Sequence, residues 1–323
     1  MRYRELGRTG FNVSDIGHGL WGMSGWSGSE DKQSLAALQR SVDLGCNFFD
    51  TAWAYGEGHS DQMLGRILKE NKGKRLYVAS KVPPLNRKWP ASSEHPLHHV
   101  FPRAHLIESA EKILDALGTE TIDLLQYHVW DDSWAGEAEF RETVDELKSS
   151  GRIRAFGISL NRWQPVNGIE AIGSGVVDTV QVIYNIFDQS PEDDLLPLCR
   201  EQNVGVIARV PLDEGSLGGK MTRESKFPNQ DWRANYFNPE NLSATMDRID
   251  ELKSVLPGGV SLPELAFRFI LSNPDVSTTI PGMRNPAHVD SNLACSDAGP
   301  LSPELLSKLK RFRWERRPQS WSA

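Results

Sequence analysis

The sequence predicts a (β/α)8 barrel, the TIM-barrel architecture, with an N-terminal β-hairpin and a single domain over residues 1–323. Eight short apolar runs typical of strands alternate with amphipathic helical segments, the order expected of a parallel sheet with helical crossovers. Eight such units suffice to close a barrel, and barrels with insertions reach this length. No Pro/Ser run, charge block or low-complexity tract separates two halves. An open doubly wound sheet followed by a second domain is the alternative.

The elements follow in order along the chain. Tyr3 to Leu6 and Phe11 to Val13, joined by a turn, predict the hairpin. The strand-like runs are VSDIGHGL (13–20), CNFFD (46–50), RLYVASK (75–81), IDLLQYH (122–128), IRAFGIS (153–159), DTVQVIY (178–184), VGVIAR (204–209) and VSTTIP (276–281). The helical segments include 31–45, 60–70, 103–118, 138–151, 191–203 and 261–273. The stretch from Pro211 to Pro239 is irregular, and so long a loop in a compact domain is more often functional than idle.

Composition narrows the classes of function. The net charge of −7 gives no general attraction to nucleic acid or to an anionic membrane surface. The three cysteines are odd in number and widely spaced, which favours a reducing cytoplasm over a disulfide framework. No run is long and apolar enough to cross a bilayer. The histidines of HPLHHV (95–100) lack a carboxylate or cysteine to complete a ligand set, so we expect no metal site.

Four ionisable residues stand at or just after consecutive strand ends. Asp50, Lys81 and His128 close the second, third and fourth strands, and Tyr55 follows in the loop after the second. Each alone has an ordinary structural explanation: a turn residue, a solvated lysine, a core histidine, a packing ring. On a closed barrel, however, the carboxyl ends of neighbouring strands meet at one face, where barrel enzymes carry their chemistry. Together these residues predict an active site.

The chemistry that this group suits is carbonyl reduction. A hydride added to a carbonyl carbon leaves charge on the oxygen, which then needs a proton donor and hydrogen-bond support. A phenol can donate that proton, and a nearby ammonium lowers the phenol's pKa from its ordinary value near 10. A carboxylate beside the lysine would keep the ammonium charged and fixed. A neutral imidazole could orient the carbonyl.

Several separated segments resemble the aldo-keto reductase superfamily, in particular its bacterial, channel-β-subunit-like branch. They are FFDTAWAYGEGHSDQMLGRIL, ASKV, LLQYH, FGIS, QVIYNIFDQ, PLDEGSLGGK and STTIPGMRNPAHVDSNL, in the expected order. The resemblance implies a barrel that binds a nicotinamide dinucleotide without a Rossmann domain. It also implies roles: Tyr55 as general acid, Lys81 and Asp50 as the residues that tune it, and His128 as the residue that orients the carbonyl.

The resemblance carries cofactor contacts onto particular positions. Leu20, Trp21 and Asp50 would touch the ribose and nicotinamide, Ser159, Asn161 and Gln181 the carboxamide, and Arg209 the nicotinamide face. Pro211, Leu212, Gly215, Leu217 and Lys220 belong to the loop that would approach the pyrophosphate, and Gly282, Arg284, His288 and Asn292 to the segment that would hold the adenosine end. Arg284 and His288 could meet a 2′-phosphate, which favours NADP(H), with NAD(H) as the alternative.

The substrate side is less defined. Trp21, Trp53, Tyr55, His128 and Trp130 fall near strand ends and suggest an aromatic-walled pocket for an aldehyde or ketone. Asp131, Asp132 and Asn235 would suit a sugar or another polyol.

Other functions compete with this prediction. GHGLWG (17–22) fits a dinucleotide-binding Rossmann motif but is not followed by a helix start. A nicotinamide-binding regulatory module with little turnover, and a barrel isomerase or lyase, remain competing functions. The sequence predicts no oligomeric state.

Overall fold

The computed structural model describes residues 1–24, 28 and 30–319. The N-terminal hairpin pairs strand β1 (Tyr3–Glu5) with strand β2 (Asn12–Ser14) in antiparallel register, across a 3-10 turn at Gly7–Thr9. This confirms the hairpin that the sequence predicts.

Eight parallel strands follow and pair in chain order. They are β3 (His18–Gly19), β4 (Phe48–Asp50), β5 (Tyr77–Val82), β6 (Ile122–Tyr127), β7 (Ile153–Ser159), β8 (Thr179–Ile183), β9 (Gly205–Arg209) and β10 (Thr278–Thr279). The two ends of this sheet meet, because Ile16 bridges Thr279 and Gly19 bridges Gly282 in parallel fashion. The backbone N–H of Gly17 donates to the Thr279 carbonyl at 2.8 Å across the same seam. The (β/α)8 barrel is therefore confirmed, and the open sheet is excluded.

Helices cover the outside of the strands. They are α1 (Asp31–Asp43), α2 (His59–Glu70), α3 (Leu97–Val100), α4 (Arg103–Leu117), α5 (Ala138–Ser149), α6 (Ile169–Gly173), α7 (Leu195–Glu201), α8 (Arg233–Tyr236), α9 (Pro239–Lys253), α10 (Leu262–Ser272), α11 (Pro286–Ala294) and α12 (Pro303–Leu309). The predicted irregular stretch between Pro211 and Pro239 contains only a 3-10 segment (Asp213–Gly218) and the single turn of α8. No helix in the described part of the chain could cross a membrane.

Two apolar clusters hold the barrel together. The larger one fills the space between strands and helices. The smaller one lies where the hairpin closes the amino-terminal end, and it joins Leu6, Phe11 and Val13 to interior residues such as Phe48 and Leu124. Because the hairpin closes this end, the opposite, carboxyl end is the one left for a site.

The first and last strands are shorter than the apolar runs that predict them. Their flanking residues still pair across the seam: the Thr279 N–H donates to the Asp15 carbonyl at 3.0 Å, and the Gly19 N–H to the Pro281 carbonyl at 2.9 Å. For these two strands, the apolar run in the sequence shows which residues are buried in the barrel wall. Regular strand geometry extends over only two residues of each run.

Candidate active site

A buried ion pair lies at the centre of the carboxyl end. The Lys81 Nζ donates to Asp50 Oδ1 at 2.5 Å, and the two residues are 0% and 2% exposed. Lys81 is the next-to-last residue of β5 and Asp50 the last of β4, so neighbouring strands bring them together. The Lys81 Nζ also donates to the Thr51 carbonyl at 2.8 Å. Burial lowers the pKa of Lys81, but Asp50 and Tyr55 raise it more, so the ammonium stays charged.

Two glutamines complete the surroundings of the Asp50 carboxylate. The Gln181 Nε2 donates to Asp50 Oδ2 at 2.8 Å, and the Gln126 Nε2 lies 3.4 Å from the same oxygen. Gln181 was predicted to contact the carboxamide of the cofactor, and here its amide nitrogen binds Asp50. Gln126 was not predicted. Its signal in the sequence was an amide residue within the mostly apolar run of β6, and the structure shows that this amide is fully buried.

Tyr55 lies over this pair. Its ring centroid is 5.2 Å from the Lys81 Nζ. Burial raises the pKa of Tyr55 and Asp50 raises it further, while Lys81 and Arg209 lower it. The ammonium of Lys81 thus lowers the pKa as expected, but burial raises it more, and the net direction is upward. Lys81 offsets part of the cost of burial, and the phenol stays protonated at neutral pH.

His128 faces Tyr55 edge-on, with 5.6 Å between the ring centroids. Burial lowers the pKa of His128 well below its ordinary value, and the charges of Lys81 and Arg209 lower it further. The imidazole is therefore neutral at physiological pH. Its Nδ1 is buried and has no hydrogen-bond partner among the described residues. The four residues predicted from strand ends thus form one group.

Tryptophans surround the entrance, although not quite those that were predicted. Trp21, 41% exposed, follows β3, and the half-buried Trp53 donates its backbone N–H to the Lys81 carbonyl at 3.2 Å. The prediction that Trp130 lines the substrate pocket is wrong. Trp130 has no exposed surface and packs in the core against Phe140, with 5.0 Å between the ring centroids. Trp89 takes its place, because its exposed ring meets His128 edge-on at 4.6 Å.

Two of the three polar residues that suggested a polyol substrate, Asp131 and Asp132, have structural roles. Asp131 accepts hydrogen bonds from the Ser133 backbone and hydroxyl, at 3.1 and 2.7 Å. Asp132 accepts from the Trp130 indole at 2.7 Å and from the first turn of α6. Asn235 lies in the short helix α8. The two carboxylates cap helical turns, so they lend no support to a sugar-like substrate.

The residues predicted near the nicotinamide lie at the ends of β7 and β9. Ser159 is buried at the end of β7, and Arg209 ends β9. The Arg209 Nη2 donates to the Leu160 carbonyl at 2.9 Å, while its buried Nε has no partner in the described structure. Asn161 is occupied differently: its amide exchanges hydrogen bonds with the Ala91 backbone at 3.0 and 3.2 Å. It joins two loops of the protein.

The predicted pyrophosphate loop, residues 211–220, has an unusual backbone. Asp213 and Glu214 take positive φ angles of 44° and 55°, conformations that cost non-glycine residues about 1–3 kcal/mol each. Gly215, with φ of 104°, occupies a region that is essentially reserved for glycine. Pro211 and Leu217 are buried, Leu212 is half-buried and Lys220 is exposed.

Ion pairs from outside hold this loop. The Arg162 Nη1 lies 2.8 Å from the Glu214 carboxylate, and the Arg316 Nη1 lies 2.6 Å from the Asp213 carboxylate. Sequence reasoning missed both arginines, since nothing local marks them as partners of residues about 50 and 100 positions away.

The predicted adenosine segment begins with Gly282 and continues into α11. Partial burial lowers the pKa of His288, and the positive charges of Lys220 and Arg284 lower it further. The charges of Lys220, in the predicted pyrophosphate loop, and of Arg284, just before α11, therefore both act on His288 within α11. Asn292 is buried on the same helix, and Leu20 has no exposed surface, so the structure lends no support to the predicted contact of Leu20 with the cofactor.

The residues present fit a dinucleotide. A Cβ added at Gly218 or Gly282 would meet nothing within 4 Å, so the backbone of both segments borders open space. Two buried polar atoms at the carboxyl end, the Arg209 Nε and the His128 Nδ1, have no hydrogen-bond partner among the described residues. Among the described residues, no group of three or more His, Cys, Asp or Glu side chains could hold a metal ion.

An eight-stranded parallel barrel with this group at its carboxyl end falls in the class of barrel oxidoreductases that act on carbonyl groups. The particular family follows from comparison with known proteins. The chain belongs to the aldo/keto reductase family, whose model matches residues 15–313. The resemblance inferred from the motifs is thereby confirmed.

Individual relatives agree over nearly their whole length. The chain is 32% identical over 300 residues to aldo-keto reductase YhdN of Bacillus subtilis (strain 168), covering 90% of this chain and 87% of that one. It is 29% identical to the NADH-specific methylglyoxal reductase of Escherichia coli (strain K12), covering 96% and 100%. A crystal structure of an aldo/keto reductase from Klebsiella pneumoniae in complex with NADP and acetate matches with a TM-score of 0.69 and 25% identity, covering 99% and 98%.

Proposed function

We propose that the protein reduces an aldehyde or ketone to the alcohol, reversibly, with NADP(H) as the preferred cofactor and Tyr55 as general acid. The observation that carries the proposal is the buried Lys81–Asp50 pair beneath Tyr55 and the neutral His128 beside it. A structural ion pair alone would not require a phenol and an uncharged imidazole with an orphaned nitrogen at the same barrel end.

Each side chain has a part in the reaction. A bound nicotinamide supplies the hydride that adds to the carbonyl carbon. Tyr55 gives its phenolic proton to the carbonyl oxygen, and the raised pKa keeps that proton in place at neutral pH. Lys81 stabilises the phenolate that remains until solvent reprotonates it. His128, neutral, orients the carbonyl oxygen toward Tyr55. For alcohol oxidation the same steps run in reverse, starting from the phenolate.

The cofactor would lie along the segments described above. Ser159, Gln181 and Arg209 would hold the nicotinamide, the 211–220 loop the pyrophosphate, and Arg284, His288 and Asn292 the adenosine end. Arg284 and Lys220 favour a 2′-phosphate because these two cations can form charge-assisted hydrogen bonds with its oxygens, and the neutral His288 can donate a further hydrogen bond. Since a relative is named as NADH-specific, the preference needs its own test.

The test of the reaction is Tyr55→Phe. This change removes only the hydroxyl, so cofactor binding should persist while the rate constant of carbonyl reduction falls by about 10²–10⁴-fold. Single-turnover oxidation of NADPH, followed by absorbance across a panel of aldehydes and ketones, measures it. Near-normal rates in the variant would show that another group donates the proton. Tight NADPH binding by the wild type without turnover of any carbonyl would favour a regulatory module instead.

The test of the cofactor preference is Arg284→Ala. Titration by tryptophan fluorescence should show tighter binding of NADPH than NADH in the wild type, and the ratio should fall by about tenfold or more in the variant. Arg40→Ala is the matched control, because Arg40 is an exposed arginine that pairs with Asp290 of α11. If the ratio of NADPH to NADH affinity is unchanged in Arg284→Ala, Arg284 does not set the cofactor preference.

A further inference from the structure

The C-terminal segment, residues 313–319, follows the 3-10 turn Lys310–Phe312 and has no helix or strand of its own. It is nevertheless held firmly. The Trp314 N–H donates to the Phe187 carbonyl at 2.8 Å, and the Arg248 guanidinium lies 3.8 Å from the centroid of the Trp314 ring. The segment therefore packs beside the loop that follows β8.

Arg316 is the residue of this segment whose side chain reaches into the protein interior. Its side chain is only 5% exposed, and its Nη1 lies 2.6 Å from the Asp213 carboxylate and 3.7 Å from the Asp188 carboxylate. The same nitrogen donates to the Tyr236 hydroxyl at 2.9 Å. The guanidinium also lies 4.2 Å from the centroid of the Trp314 ring. Two buried carboxylates from different loops thus share one cation.

One of those carboxylates belongs to the strained part of the proposed cofactor loop. Val210, Asp213 and Glu214 all have positive φ angles, 56°, 44° and 55°. For a β-branched residue such as Val210 this conformation is a genuine outlier, and strained backbone persists only where its surroundings hold it. Within the loop, the Ser216 hydroxyl donates to Asp213 Oδ2 at 2.6 Å. Arg316 binds the other oxygen of the same carboxylate, so Asp213 is held from both sides.

We propose that Arg316 is a positioning residue: the C-terminal segment holds the 211–220 loop in the conformation that receives the dinucleotide, and thereby slows cofactor release. Its effect on the cofactor rests on the proposed function, but its effect on the loop does not. Asp213 is the only one of the three polar partners of Arg316 described above that lies in the 211–220 loop, so we expect the influence of Arg316 on cofactor binding to pass through Asp213.

The test compares Arg316→Met with Arg313→Ala. Arg313 is a matched control because it lies in the same segment and forms a two-pronged ion pair, at 2.6 and 2.7 Å, with Asp193 instead of the cofactor loop. Two quantities are measured: hydrogen exchange of residues 211–220 in the cofactor-free protein, and the dissociation rate constant of NADPH by stopped-flow fluorescence. Asp213→Asn removes the same ion pair from the loop side, in case Arg316→Met does not fold.

Arg316→Met, or Asp213→Asn, should increase exchange in the loop selectively and raise the dissociation rate constant about tenfold or more, the factor expected for losing one charge-assisted hydrogen bond. Arg313→Ala should change both less than twofold. A folded variant with wild-type loop exchange, or one whose loop and barrel loosen equally, overturns the proposal. If the wild type binds no dinucleotide, the proposed function fails while loop exchange still decides the role of Arg316.

Discussion

Lys81 is an ammonium group with no exposed surface, in a place where burial alone would favour its neutral form. Asp50 keeps it charged, and Gln181 with Thr51 satisfies further hydrogen bonds of the pair. Buried pairs of this kind seldom add much net stability, since desolvation costs about as much as the attraction returns. In this protein the pair instead fixes the positive charge of Lys81 beneath the phenol of Tyr55.

Lys81→Met tests whether that charge tunes Tyr55. Without it, the pKa of Tyr55 should rise further above its ordinary value, because burial and Asp50 already raise it and Lys81 opposes them. Alcohol oxidation needs phenolate, so its pH–rate profile should move to higher pH. Reduction needs the protonated phenol, so the alkaline fall of its pH–rate profile should also move to higher pH, and its rate should drop because a hydrogen-bond donor is lost. Steady-state rates of both directions between pH 6 and 11 measure this.

The alternative is that Lys81 and Asp50 are only a structural pair. Lys81→Met would then lower thermal stability, by an amount on the order of 3–5 kcal/mol for an uncompensated buried charge, and leave the oxidation profile in place. Asp50→Asn is the companion variant, since it acts on Tyr55 mainly through the lysine and should shift the profile less. A lowered melting temperature with an unshifted profile would refute tuning.

At the scale of elements, the long loop after β5 depends on its attachment to the loop after β7. Asn161 exchanges two hydrogen bonds with the Ala91 backbone, and Trp89, two residues before Ala91, packs against His128. The resemblance instead implies that Asn161 contacts the carboxamide of the cofactor. The two roles predict different kinetic effects.

Asn161→Ala distinguishes them. If the residue secures the loop, the KM for the carbonyl substrate should rise about tenfold from the loss of buried hydrogen bonds, while the Kd for NADPH stays within twofold. Asn86→Ala is the control within the same loop, because the Asn86 side chain accepts a local hydrogen bond from the nearby Lys88 N–H and, in the described part of the chain, joins no second loop. A rise in the Kd for NADPH with an unchanged KM would restore the cofactor role.

In the molecule as a whole, the hairpin that stabilises the barrel and the residues of the candidate active site lie at opposite ends. Phe11 stacks on Tyr77 with 4.9 Å between centroids, and Leu6 covers Gly205, where a Cβ would lie 2.8 Å from Leu6 atoms. Glycine at 205 therefore lets the hairpin approach the barrel closely. The hairpin closes the amino-terminal end, whereas Asp50, Lys81 and His128 lie at or next to the carboxyl ends of their strands.

Phe11→Ala should thus lower the free energy of unfolding by about 3–5 kcal/mol, the cost of truncating a buried phenylalanine, and leave kcat and KM unchanged. Chemical denaturation and steady-state kinetics at a temperature well below the melting transition measure the two effects. Glu5→Ala, an exposed change in the same hairpin, should alter neither quantity. A large loss of kcat in folded Phe11→Ala would show that the two ends of the barrel are coupled.

The sequence was enough to predict the eight strand–helix units and the hairpin, because apolar periodicity and turn residues are local. It also identified Asp50, Tyr55, Lys81 and His128, since parallel strands must bring their carboxyl ends to one face. The three-dimensional structure was needed to show that Trp130 lies in the core while Trp89 meets His128, and that Gln126 and Gln181 surround Asp50. The structure also revealed that the pKa of Tyr55 is raised and that Arg316 forms an ion pair with Asp213. These properties depend on burial and on distances between residues far apart in the chain, which no local pattern records.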